Sequence, residues 1–181
     1  ARRFQWFGAV VCALAAGTVS DQASAQNAKR SETIEERVLN TRDFWQIPVT
    51  YYTSTKGRAA PVVVLLPGKN GNRRDWNRGF AQKLRKEGYA VVAVDLRKFG
   101  QARGPGATNA GKGPGPIDFR NMILFDMPAV KKFIYEEHQK ENLNMRKMAI
   151  IAPDVSAPVA INFSGNDWLK RPWPDANDFA F

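Results

Sequence analysis

The sequence is nearly devoid of two reactive side chains: its 181 residues hold one cysteine, Cys12, and one histidine, His138. A single thiol excludes an internal disulfide and a cysteine-built metal site. One histidine leaves few ways to assemble a charge-relay pair. No apolar run reaches the ~20 residues needed to cross a bilayer. Zinc-finger spacings, aromatic RNA-binding signatures, phosphate loops and dinucleotide fingerprints are also missing, so no cofactor, no metal and no specific nucleic-acid binding are expected.

What is present begins with an address. Arg2 and Arg3 precede the apolar stretch FQWFGAVVCALAAG, and Ala23-Ser24-Ala25 follows. A basic start, a short apolar middle and an A-x-A site together read as a secretory signal over residues 1–25. Cleavage after Ala25 would remove Cys12 and deliver a secreted or periplasmic protein with no membrane span. Residues 26–36 are polar and read as a flexible leader, which leaves 37–181 as one domain.

The formal net charge is +10, a balance that permits contact with acidic partners. Many of the cations, Arg73, Arg74, Arg78, Lys83, Arg85 and Lys86, fall on one segment and read as the solvated face of a helix.

Along the domain, residues 37–54 mix β-branched and aromatic residues in two runs, the pattern of a hairpin of two edge strands, with Pro48 suited to an edge. PVVVLL (61–66), AVVAVD (90–95) and MAII (148–151) are continuous apolar runs, which mark strands buried on both faces of a parallel sheet. Residues 73–87 fit a helix with Trp76, Phe80 and Leu84 on one face, ended by Gly88. Between residues 97 and 116 stand six glycines and three prolines, which demand a loop. A helix is expected from about Phe119, with Asp126 and Pro128 capping and starting its main segment. Another helix resumes over 156–165. Strands alternating with helices imply an α/β, doubly wound, mostly parallel sheet with an N-terminal antiparallel hairpin. Ligands then belong beyond the carboxyl ends of the strands, at loops 67–72, 96–117 and 152–156.

Those loops carry a resemblance. VVVLLPGKNGNRRDW resembles the strand and oxyanion loop of the α/β-hydrolase family, near its dienelactone-hydrolase and esterase members. LRKEGYAVVAVDLRKFGQA resembles that family's second strand segment, and MAIIAPDVSAPVA falls where its nucleophile elbow belongs. The elbow needs small residues two before and two after its nucleophile. Centred on Asp154, those positions hold Ala152 and Ser156; centred on Ser156, they hold Asp154 and Pro158, which fit badly. Asp154 is therefore expected in the nucleophile position, with Ser156 the less favoured candidate, standing in for a glycine.

The resemblance implies backbone donors at Gly68, Lys69 and Val155 for an oxyanion. It also implies a histidine after the last strand and further β-α units beyond the elbow helix, so the chain is expected to be part of a longer protein. His138 precedes the elbow among charged residues and reads as solvated. Asp95, at a strand end, reads as a structural acceptor for loop amides.

Three readings follow. The chain is a hydrolase-like protein that is inactive as given, because Asp154 replaces the serine and no triad histidine follows. Alternatively it is an active hydrolase of ester, halide or epoxide substrates with Asp154 as nucleophile and its histidine beyond residue 181. In the third it is a basic module that holds acidic polymers through Lys69, Arg73, Arg97, Lys98 and Arg103. A small ester-like ligand suits the first two.

Overall fold

A computed structural model describes residues 33–105 and 113–170; the signal, most of the leader, part of the Gly-rich loop, Trp173 and Phe181 lie outside them. Five strands form one sheet in the order β1-β2-β4-β3-β5. They are β1 (Ile34–Asn40), β2 (Gln46–Tyr52), β3 (Pro61–Leu65), β4 (Ala90–Val94) and β5 (Asn144–Ile151). β3 runs parallel to both β4 and β5, while β2 runs antiparallel to β1 and to β4. The three apolar runs are thus adjacent parallel strands, as their composition demands.

Each central strand buries alternate residues on opposite faces. Val62, Val64, Val92 and Val94 pack on one side with Val130, Phe133, Ile134, Val159 and Phe163. Val63, Leu65, Val91 and Ala93 pack on the other with Ala81, Trp76 and Leu84. Helix α1 (Phe80–Lys86) covers the second face, and α3 (Met127–Gln139) and α4 (Ala157–Trp168) cover the first. Two covered faces explain why these strands are apolar throughout. Each fully buried valine contributes about 1.5–3 kcal/mol.

Several expectations need correction. The leader is too long by three residues, because β1 begins at Ile34. Of the hairpin's two strands β1 alone lies at an edge; β2 lies inside the sheet, between β1 and β4. Pro48 is tolerated there because its side of β2 meets the end of β4: the Pro48 carbonyl accepts from the Asp95 N–H at 2.9 Å, where the chain leaves the sheet. The proline's missing N–H therefore interrupts no continuing ladder.

The 73–87 segment is also not one helix. A 3-10 turn (Arg73–Arg78) ends at Gly79, whose φ of 124° no ordinary residue adopts, and α1 starts after it. Trp76 and Leu84 pack inward, but Phe80 is exposed, with its ring 5.6 Å from that of Trp76.

The helix expected from Phe119 begins earlier, as α2 (Pro116–Asn121), and passes through a π-helical turn (Met122–Asp126) into α3. Pro128 stands in the first turn of α3, where its lack of an N–H is harmless. Asp126 makes no capping bond. Its buried carboxylate instead accepts from the backbone and guanidinium of Arg97.

Candidate functional site

β5 leaves the sheet through Ala152 and Pro153 and enters a 3-10 turn, Asp154–Ser156, that leads directly into α4. Asp154 has a φ of 46°, in the left-handed region. An L residue pays for that conformation with crowding of its Cβ, though aspartate tolerates it better than most. This sharp strand-to-helix corner leaves the Asp154 side chain exposed at its tip. A Cβ built on Gly68 would stand 3.4 Å from Asp154 Oδ2. The loop after β3 therefore passes beside the carboxylate, at a distance where even a Cβ on residue 68 would make ordinary contact.

Ser156 is turned away from solvent. It is 1% exposed, and its hydroxyl donates to the carbonyl oxygen of Pro67. One turn earlier along the same seam, the Leu66 N–H donates to the Ile151 carbonyl at 2.9 Å. Ser156 thus joins the elbow to the loop after β3 instead of facing a ligand. The sequence marked it as small; that its hydroxyl forms a clasp was not legible.

The loop after β3 turns at Gly68–Gly71, with the Gly71 N–H donating to the Gly68 carbonyl at 3.0 Å. Lys69 is exposed and Gly68 half-buried. Val155 is half-buried against the core, and its N–H belongs to the first turn of the helix, where backbone donors have no helical acceptor. Gly68 and the elbow are brought together, so the loop that carries Lys69 and the turn that carries Val155 share one end of the sheet.

His138 is not brought there. It sits at the end of α3, before the amino end of β5, whereas Asp154 follows the carboxyl end. The eight residues of β5 span ~26 Å at about 3.3 Å each. The imidazole is half-buried, not solvated as its charged neighbours suggest, and Nδ1 lies 3.0 Å from the Leu143 carbonyl. A carbonyl only accepts, so Nδ1 carries the proton there.

Two buried ion networks brace the loops around the site. Asp95 is 0% exposed. It accepts from the Arg73 N–H at 2.7 Å and the Gln101 N–H at 2.9 Å, and pairs with the Arg73 guanidinium. Arg73 reaches Glu36 at 2.8 Å, Gln101 at 3.0 Å and Thr50 at 3.2 Å. Burial disfavours ionised Glu36, but hydrogen bonds from Arg73 and Thr50 outweigh it and hold the carboxyl below its ordinary value. Asp95 is the acceptor of loop amides that its place at a strand end implies.

Arg97, 1% exposed, pairs with Asp126 at 2.6 Å and Asp43 at 2.7 Å, and lies over the rings of Trp45 and Phe125. Burial pushes the Asp126 carboxyl upward, and Arg97 only partly offsets it. Asp43 is less enclosed; burial opposes its charge, yet Arg97 and Thr41 hold it below the usual carboxylate range.

These networks correct the third reading. Arg73 and Arg97 are not a cationic rim for acidic polymers, and Arg73 is not part of a solvated helix face. Both guanidiniums are neutralised by buried carboxylates that distant parts of the chain supply. Among the described residues no helix is long and apolar enough to cross a membrane, and no three His, Cys, Asp or Glu side chains gather to hold a metal.

The arrangement matches a known class. The sequence profile of the α/β-hydrolase fold fits residues 61–146, which run from β3 into β5. Solved structures agree. An esterase from Exiguobacterium antarcticum superposes with a TM-score of 0.54 at 17% identity, covering 73% of this chain and 40% of its own. An epoxide hydrolase from Vigna radiata gives 0.52 at 19% identity, over 74% of this chain and 35% of its own. An esterase from Pyrococcus furiosus gives 0.52 at 22% identity, over 72% and 43%. No curated protein matches the sequence. The described chain is a partial α/β-hydrolase fold, spanning less than half the length of these three structures.

Proposed function

We propose that this is an exported hydrolase-fold protein in which Asp154 stands in the nucleophile position, and that the described residues do not sustain turnover. One observation carries the reading: the left-handed corner at Asp154 presents its carboxylate, while Ser156 spends its hydroxyl on Pro67. A carboxylate oxygen can attack the carbon of an alkyl halide or epoxide. An ester bond forms, the carbon–halogen or carbon–oxygen bond breaks, and halide leaves or the alkoxide takes a proton from water. Releasing the product then needs a second water activated by a base. His138, the single histidine, is at the opposite end of β5 and cannot supply that base.

A second reading has a specific motive. Epoxide hydrolases stand beside esterases among the structures of similar fold, and a histidine contributed from outside these residues would complete an active hydrolase of ester, halide or epoxide substrates.

Incubating the 181-residue chain separately with styrene oxide, a 1-haloalkane and a fluorophosphonate, followed by peptide mass mapping, tests both. The expected result is no turnover and no label at Ser156; a stoichiometric adduct on Asp154 would be the ester that cannot be released. A label on Ser156 overturns the register, and repeated turnover overturns the claim of an incomplete set. Export is tested separately by the mature N-terminus in a bacterial host, expected at Gln26.

A further inference from the structure

A cavity lies away from Asp154, between the turn after β1, the start of α3 and the end of α4. Its volume is about 600 Å³, and Asp154 is not among its walls. That size falls within the range of small-molecule sites. Its lining includes the cations Arg42, Lys131, Lys132 and Lys170 and one carboxylate, Asp167. The apolar side chains of Leu124, Phe125 and Phe163 line it as well. Leu124 is 47% exposed, a large apolar side chain presented to solvent inside the cleft.

Part of this lining is held in place. Lys131 Nζ bridges both Asp167 oxygens at 2.8 and 2.7 Å, which ties α3 to α4 and consumes the one acid. Lys132 has a 3.8 Å contact with Glu136, one turn on along α3, a pair so exposed that it contributes little. Phe125 is backed by the Arg97 guanidinium at 5.7 Å, and Phe163 is anchored in the core. The cavity thus combines an apolar surface, backed by the core through Phe163, with an excess of exposed positive charge. This excess lies apart from the loop-edge residues Lys69, Lys98 and Arg103, none of which lines the cavity.

We propose that this cleft binds a small amphipathic anion, an alkyl or aryl chain bearing a carboxylate or phosphate. The chain lies on Leu124 and Phe125, and the head group meets Arg42, Lys132 and Lys170. Neither half suffices. An inorganic anion forgoes the apolar surface, and a neutral or cationic amphiphile forgoes or opposes the cations.

Calorimetric titration of the full chain, below the micellar concentration of each probe, tests this. Decanoate is expected to bind at one equivalent. Decanol and inorganic phosphate should bind at least tenfold more weakly, and decyltrimethylammonium not at all. Raising the salt concentration should weaken decanoate, because these cations are exposed to screening. The Arg42→Glu/Lys132→Glu variant should lose at least tenfold in decanoate affinity with an unchanged thermal midpoint, and Leu124→Asp should lose a similar factor through the apolar surface. Equal binding of all amphiphiles, phosphate binding as tight as decanoate, undiminished affinity in both variants, or no binding at all would each overturn the proposal. If both cleft variants keep full affinity and Asp154→Asn abolishes it, the ligand belongs to the elbow.

Discussion

The hydroxyl of Ser156 donates to the carbonyl of Pro67 across 89 residues of chain, closing a buried clasp between the elbow and the loop that passes beside Asp154. Removing the donor leaves a buried carbonyl without its partner, which costs about 1–3 kcal/mol. Ser156→Ala should therefore lower the denaturation free energy by that amount, read from the urea midpoint. An unchanged midpoint would mean that water replaces the hydroxyl there.

Substitutions at Asp154 should be close to neutral. Its φ of 46° suits glycine, so Asp154→Gly relieves strain while freeing the unfolded chain; the two effects are each of order 1 kcal/mol. Asp154→Asn keeps most of the side chain and its tolerance of the left-handed region, and should leave stability within about 0.5 kcal/mol of the parent. A large loss in Asp154→Asn would show that the carboxylate's charge stabilises the elbow. It would then be structural, and not only presented.

The Arg97 brace should be among the most sensitive points. Arg97→Ala strands the Asp126 carboxylate inside the protein, and breaking a buried pair in this way costs about 3–5 kcal/mol. Arg97→Lys should recover only part of it, because an ammonium cannot reproduce the planar fork that meets Asp126 and Asp43 together. Equilibrium denaturation of the three proteins measures the order.

Gly100 is a steric counterpart. Its φ is 48°, and a Cβ there would stand 2.3 Å from Asp95 Oδ2. Gly100→Ala should destabilise by at least ~1 kcal/mol from the backbone alone, with more from displacing the carboxylate that accepts from Arg73 and Gln101. Parent-like stability would require the loop after β4 to refold around the methyl group.

Acid should weaken the fold through Glu36 and Asp43. Both are held below their ordinary values when folded, so the folded protein binds protons less readily than the unfolded chain. Their contribution is complete above the ordinary carboxylate range and is lost as pH falls through the lowered folded values. Asp43→Asn should flatten the acid limb of a stability–pH curve. Asp126, held above its ordinary value by burial, works the other way, and its contribution falls as pH rises from the ordinary value through the raised one.

The sequence by itself determined the strands that touch protein on both faces. Val62–Leu65 and Ala90–Val94 have no polar alternation because no face of them meets water, and their order with the intervening helices dictated a doubly wound sheet. The small residues Ala152 and Ser156 mark a tight corner in the sequence, and the chain turns there from β5 into α4. Tertiary structure alone decided what depends on partners far along the chain. Arg73 reads as one cation of a helix face until Glu36 and Asp95 close around it, 37 and 22 residues away. Asp126 reads as a helix cap until Arg97 arrives. β2 reads as an edge until β4 pairs with its second side. Local pattern reports how a residue meets its own helix or strand, but a charge, a hydroxyl or a strand edge is committed only by whatever the fold brings against it.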